Sequence, residues 1–208
     1  MSTISIENAP GRLDGKQDNQ TALRRLRREN AQLRQELQRM MVYRTMAYRD
    51  CLTGLHNRRY FDERLREECA RAMRVGGYAF GVVLIDVDDF KTINDTLGHS
   101  VGDQVLTAVA NFLKDSVREV DLCCRLGGDE FAILLPTTDE PGAHVVEDRL
   151  RTQLAAAQEQ FPCPVSLSVG MAAHPPGPAD VETLLARADQ AMYEDKRRRK
   201  SLRQAKSA

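Results

Sequence analysis

Two adjacent carboxylates, Asp129 and Glu130, follow two glycines, Gly127 and Gly128, and a third carboxylate, Asp86, closes an apolar run earlier in the chain. Carboxylate oxygens are hard ligands of the type that binds Mg²⁺. The runs Leu122 to Leu126 and Phe131 to Leu135 have strand character, so the paired acids fall at the tip of a predicted β-hairpin. Glycine there admits positive φ and lets a phosphate or another backbone approach, which marks Gly128 as a binding position. Asp86 and Asp88 share one face at strand periodicity, and an acid at the exit of a buried strand is costly unless a cation meets it. Capping of the next helix accounts for Asp88 or Asp89 and accounts poorly for Asp86.

A second polar set, Lys91, Asn94, His99 and Asp103, surrounds the turn at Gly98. An amide and a carboxylate together match the O6 and N1/N2 edge of guanine, so Asn94 and Asp103 are candidate base readers. Arg118 and Asp121, three apart at a helix end, read by spacing alone as a local ion pair.

Hydrophobic period and turn chemistry define the elements that must hold these groups. Residues 1–20 contain Pro10 and few apolar side chains, and are expected to form a disordered tail. Leu23, Leu26, Asn30, Leu33, Leu37 and Met40 then make an a/d heptad seam that weakens at Arg44, predicting a dimerising coiled-coil helix over 21–49. Asn30 on an a position favours a parallel, in-register pair, with Glu29 and Arg34 able to pair between chains. A single helix lying on its own domain is the alternative. Residues 50–208 form the globular domain. Asp50, Thr53, Gly54 and Asn57 interrupt the helix, and Asn57 is a candidate N-cap for a second one over about 58–75, with Phe61, Leu65, Cys69 and Met73 inward. A buried strand over 78–87, two helices either side of Gly98, the hairpin, a helix over 142–160, a strand over 163–173 and a last helix from Ala179 complete the reading.

Hydrophobic residues at 42% suffice for a real core. No apolar run approaches the ~20 residues of a membrane span, and the first twenty residues lack a signal-peptide pattern, so a cytoplasmic chain with no membrane partner is expected. Five cysteines without a C-x-x-C pair suggest reduced, mostly buried thiols. Net charge is zero but uneven: six Arg against two Glu over 21–39, and seven Lys or Arg against two acids over 194–208. No aromatic residue interleaves these basic runs, which argues for solvated helical faces and against nucleic-acid binding.

Six blocks in one order, Asp50-x-Leu-Thr-Gly-Leu-x-Asn-Arg-Arg59, Asp86-x-Asp-x-Phe-Lys-x-x-Asn-Asp95, Gly98-His-x-x-Gly-Asp103, Arg125-x-Gly-Gly-Asp-Glu-Phe131, Ser168-x-Gly-x-Ala172 and Ala188-Asp-x-Ala-x-Tyr-x-x-Lys196, resemble the diguanylate cyclase family of GGDEF domains. The resemblance covers residues 50 to about 200. It implies an α+β fold with a mainly antiparallel five-stranded sheet surrounded by helices, related to nucleotidyl cyclase and polymerase palm domains. It implies condensation of two GTP into cyclic di-GMP and two pyrophosphates across a homodimer. Two Mg²⁺ ions, with Mn²⁺ as an alternative, would be held by Asp86, the Val87 carbonyl, Asp129 and Glu130. Asn94 and Asp103 would bind guanine with His99 nearby, Lys91 and Lys196 would contact phosphates, and Asp129 is the candidate proton acceptor. Arg118 and Asp121 then become a product-inhibition site. Family members often carry Gly-Arg where Arg199-Lys200 stand here, so Lys200 offers charge without a guanidinium fork. A catalytically silent receptor for GTP or cyclic di-GMP is the competing reading; it usually lacks the acids retained in this chain.

Overall fold

The computed structural model describes residues 14–175, 177 and 180–207, with side chains described from 19 to 202. The elements run α1 (Asp14–Tyr48), β1 (His56–Asn57), α2 (Arg58–Arg74), β2 (Phe80–Val87), α3 (Phe90–Leu97), α4 (His99–Ser116), β3 (Leu122–Gly127), β4 (Glu130–Leu135), α5 (Glu140–Ala156), β5 (Leu167–His174) and α6 (Val181–Ser207). The strands form one sheet in the order β1-β3-β4-β2-β5. Only β1 with β3 is parallel; β3 with β4, β4 with β2 and β2 with β5 are antiparallel. The expected mainly antiparallel five-stranded sheet is therefore present, and the interior strand β2, between β4 and β5, is buried along its whole length.

Strand alternation divides the interior in two. Val83, Ile85 and Val87 of β2 and Phe131, Ile133 and Leu135 of β4 face α4 and α5. Val82 and Leu84, with Ala132 and Leu134, face α2 and α6. Asp86 continues the second series one step past Leu84, so it emerges on the α2 and α6 side of the sheet. Asn57 caps α2 as expected, its side chain accepting from the Tyr60 amide at 3.1 Å.

Several expected boundaries differ. Helix α1 already includes residues 14–20, placed in the tail by composition; the rest of that tail lies outside the described residues. The helix expected over 142–160 ends at Ala156 and is followed by a 3-10 turn at Gln158–Gln160. The strand expected from Cys163 begins at Leu167, because Gln158 holds the Val165 backbone through bonds to both its N–H and its carbonyl. Met73 is exposed and Ala72 takes the inward position at the end of α2.

Two compact units divide the chain, residues 1–45 and 46–208. In the first, Leu23, Leu26, Leu33, Leu37 and Met40 of the heptad seam are all exposed along α1. Asn30 donates to the Leu26 carbonyl at 3.3 Å, and Glu29 pairs within the helix with Arg25 at 3.0 Å. The second unit holds the sheet and all the candidate site residues.

Candidate active site

Asp86 and Glu130, far apart in sequence, are direct cross-strand partners in the β2–β4 ladder. Directly opposed residues on antiparallel strands put their side chains on the same face, with Cβ atoms about 5 Å apart. The ladder runs on past the strand end, where the Val87 amide donates to the Asp129 carbonyl at 3.1 Å. The β3–β4 turn supplies the geometry: Gly127 and Gly128 take φ of 149° and 53°, values that side chains with a Cβ rarely adopt, and a register shift falls between Arg125 and Gly127.

Arginines hold this tip from two sides. Arg125 donates twice to the Gly128 carbonyl, at 3.0 and 2.7 Å, and forks onto Asp50 at 3.1 and 3.3 Å. Asp50 also accepts from the Thr53 amide and hydroxyl. Burial works to raise the Asp50 pKa, but these bonds outweigh it and hold the carboxyl below its ordinary value. Arg58 donates to the Leu126 carbonyl at 3.0 Å and reaches Glu130 at 3.4 Å. A cavity of about 300 Å³ opens beside this pair between α2 and α6, floored by Leu84, Leu126 and Met192.

Asp86 itself is 9% exposed and accepts from Lys196 Nζ of α6 at 2.6 Å. Desolvation pushes its pKa up, Lys196 opposes that, and the nearby Asp129 and Asp88 charges add to the rise, so three acids act on one point. Lys196 is expected at a phosphate and here neutralises Asp86. Among the described residues no group of three or more His, Cys, Asp or Glu is drawn together as a ready-made metal cage. Asp86 and Glu130 share one face beside the Asp129 carbonyl, their present partners being Lys196 and Arg58. Carboxylate and carbonyl oxygens are hard donors of the type that divalent cations take.

The buried carboxylate of Asp88 accepts from Ser166 Oγ at 2.6 Å and Ser168 Oγ at 2.5 Å, tying the end of β2 to β5. Asp89 occupies the N-cap position at φ 55° without a side-chain cap bond.

Gly98 at φ 87° joins α3 to α4 and brings the guanine-reading candidates onto one seam. Asn94 of α3 lies so close to Gly102 of α4 that a Cβ there would sit 1.9 Å from Asn94 Oδ1, and Asp103 is the next residue. Lys91, His99 and Asp103 are exposed on the same helix pair. Away from this site, Asp121 is buried and accepts from Arg118 N, Nε and Nη2 at 2.9, 3.2 and 3.1 Å, while Arg118 Nη2 also donates to Thr138 Oγ1 at 2.8 Å. The sequence reading missed Thr138, Arg151 and Asp195, whose partners are remote or unremarkable in the linear chain; Asp50, Arg58 and Arg125 stood inside its motifs without a role.

The chain belongs to the family described as diguanylate cyclase, GGDEF domain, whose model matches residues 47–201. It is 42% identical over 157 residues to diguanylate cyclase DgcP of Pseudomonas aeruginosa, covering 74% of this chain and 23% of that one. It is 40% identical over 156 residues to response regulator PleD of Caulobacter vibrioides, covering 73% of this chain and 34% of that one. The chain thus spans only 23% and 34% of the length of these two curated relatives. Among solved structures, the coiled coil and GGDEF domain of DgcB from Caulobacter crescentus, in complex with c-di-GMP, superimposes with a TM-score of 0.74 at 28% identity, over 85% of this chain and 95% of that one. Diguanylate cyclase SiaD from Pseudomonas aeruginosa, solved with its activator SiaC, superimposes with a TM-score of 0.67 at 37% identity, over 89% of this chain and 73% of that one. No helix among the described residues is long and apolar enough to cross a membrane.

Proposed function

We propose that the chain is a diguanylate cyclase that condenses two GTP molecules into cyclic di-GMP with release of two pyrophosphates. The observation that carries this reading is the register pairing of Asp86 with Glu130 beside Asp129, acids of the type that family members use around divalent cations. Each half-reaction forms a bond between the 3′-hydroxyl oxygen of one GTP and the α-phosphorus of the other. The bond from that phosphorus to the β-phosphate oxygen breaks, and pyrophosphate leaves. The hydroxyl proton passes to the Asp129 carboxylate directly or through an intervening water. Asn94 and Asp103 hold the guanine edge with His99 beside them, Gly128 lets the triphosphate approach the turn, and Lys91 and Lys196 balance phosphate charge. Asp86, the Val87 carbonyl, Asp129 and Glu130 would hold two Mg²⁺ ions, which would supply charge neutralisation for the leaving group and acidity for the hydroxyl.

One domain holds half of the reactants, so the reaction needs a facing pair. A parallel coiled coil through α1 would raise the effective concentration of the second half-site to the millimolar range, about. Arg118 and Asp121 bind the product as a feedback site, where a guanidinium suits phosphate and guanine edges.

Incubation with GTP and Mg²⁺ followed by nucleotide chromatography tests the reading. Cyclic di-GMP is expected from the natural chain and none from Asp129→Ala. Nucleotide binding with no cyclic product in either would replace the enzyme by a silent receptor.

A further inference from the structure

Helix α6 carries two neighbouring residues with different partners. Lys196 reaches Asp86 at 2.6 Å, while Asp195 is 4% exposed and turns onto the outer edge of β5. Strand β5 is the last in the sheet, so its outward peptide groups have no strand to bond. At Val169 two side chains replace that strand: Asp195 Oδ2 accepts from the Val169 amide at 3.0 Å, and Arg151 Nη2 of α5 donates to the Val169 carbonyl at 3.0 Å. The two are joined by Arg151 Nη1 to Asp195 Oδ2 at 2.8 Å, and Glu147 steadies Arg151 at 2.7 Å. Arg198 and Arg199 complete the shell of Asp195 at 2.6 and 3.0 Å.

This clasp lies where α6 has little else to hold it. Gly170 lets the helix backbone touch β5, and Leu184 and Ala188 bury its first turns. Beyond Met192 the helix is charged, and Asp195 is the one buried residue from 193 to 202. The Lys196 side chain is 47% exposed, so packing does not fix its ammonium group. Its reach depends on where the helix backbone lies.

We infer that Asp195, clasped to Arg151 and the Val169 peptide, is a positioning residue that sets the register of α6 and so delivers Lys196 to the nucleotide site. The inference rests on the reading of that site as a GTP site. A rotation or one-residue slip of α6 would take the carboxylate off the Val169 amide, and Lys196 would leave Asp86 with it.

A double-mutant cycle reads this coupling. The probe is 3′-deoxy-GTP, which lacks the attacking hydroxyl, and its affinity in Mg²⁺ is measured by calorimetry for the natural chain, Asp195→Ala, Lys196→Ala and the double variant. Each single change is expected to weaken binding about tenfold through a misplaced or missing ammonium group, and the double variant is expected to bind no more weakly than Lys196→Ala. Losses that multiply, or an Asp195→Ala protein that binds as tightly as the natural chain, overturn the inference. Circular dichroism checks folding; should Asp195→Ala unfold, Asp195→Asn, which keeps an acceptor for the Val169 amide, carries the same comparison. Turnover of GTP by the natural chain is followed in parallel. Coupling without cyclic product removes the cyclase reading and leaves the positioning role standing. Product without coupling removes the positioning role alone, and a natural chain that does not bind the probe removes both.

Discussion

A methyl group on Gly102 would sit 1.9 Å from Asn94 Oδ1 and 3.3 Å from the Phe90 ring. The amide can swing away, so Gly102→Ala is expected to fold normally and to raise the KM for GTP roughly tenfold, by displacing a group that must align with the base. Steady-state pyrophosphate release checks it; an unchanged KM would detach Asn94 from base recognition. Gly170 is a different case, because a Cβ there meets the Met192 amide at 2.0 Å and the Ala188 carbonyl at 2.4 Å, and backbone cannot swing aside. Gly170→Ala is expected to cost about 3 kcal/mol of stability, seen as a lowered urea midpoint. At Asp195, burial alone would raise the pKa, but bonds from Arg151, the Val169 amide, Arg198 and Arg199 hold it well below its ordinary 3.8. The stabilisation this gives is complete above pH 4, about, and is lost as pH falls below the unfolded-state value. Asp195→Asn should therefore flatten the fall of stability with pH in that acid range while lowering stability at neutral pH.

At the scale of elements, the β3–β4 hairpin depends on two arginines outside its own turn. Arg125 bridges the Gly128 carbonyl to Asp50, and Arg58 joins the Leu126 carbonyl to Glu130. Arg58→Ala is expected to lower kcat with little change in melting temperature, because Arg58 is exposed and its bonds orient the tip without burying surface. The Arg118 turn is a separate unit held by Asp121 and Thr138. Arg118→Ala should abolish product inhibition and leave initial turnover intact; inhibition by added cyclic di-GMP that persists in this variant would remove the feedback site. Helix faces were legible from periodicity, since the three-to-four spacing of Val105, Leu106, Val109, Phe112 and Leu113 reports directly which side is buried, and the unbroken apolar run of β2 reports burial on both faces. The start of β5 was less legible, because Val165 is apolar and buried like a strand residue while its backbone bonds go to Gln158.

For the whole molecule, the prediction concerns the first unit. A chain beginning at Met46 keeps the sheet and all site residues. At submicromolar concentration its activity per domain is expected to fall at least about tenfold below that of the full chain, and the two should converge as concentration rises. Equal activity at every concentration would mean that α1 does not bring two domains together. Leu23, Leu26, Leu33 and Leu37 are exposed along α1; in the proposed pair they would supply the apolar contacts of the seam, and Asn30 on the same seam would favour a parallel, in-register arrangement.

Composition, period and the order of short motifs determined by themselves the α+β class, the hairpin with acids at its tip, the N-cap at Asn57 and the family, because each depends on residue type and local spacing. Only the tertiary structure decided that Asp86 faces Glu130, since strand order and register come from packing across the sheet. It also decided that Asp88 serves Ser166 and Ser168, and that Gly102 and Gly170 are contact surfaces for Asn94 and α6. A carboxylate cannot reveal its partner from its neighbours in sequence; that choice is made where separate elements meet.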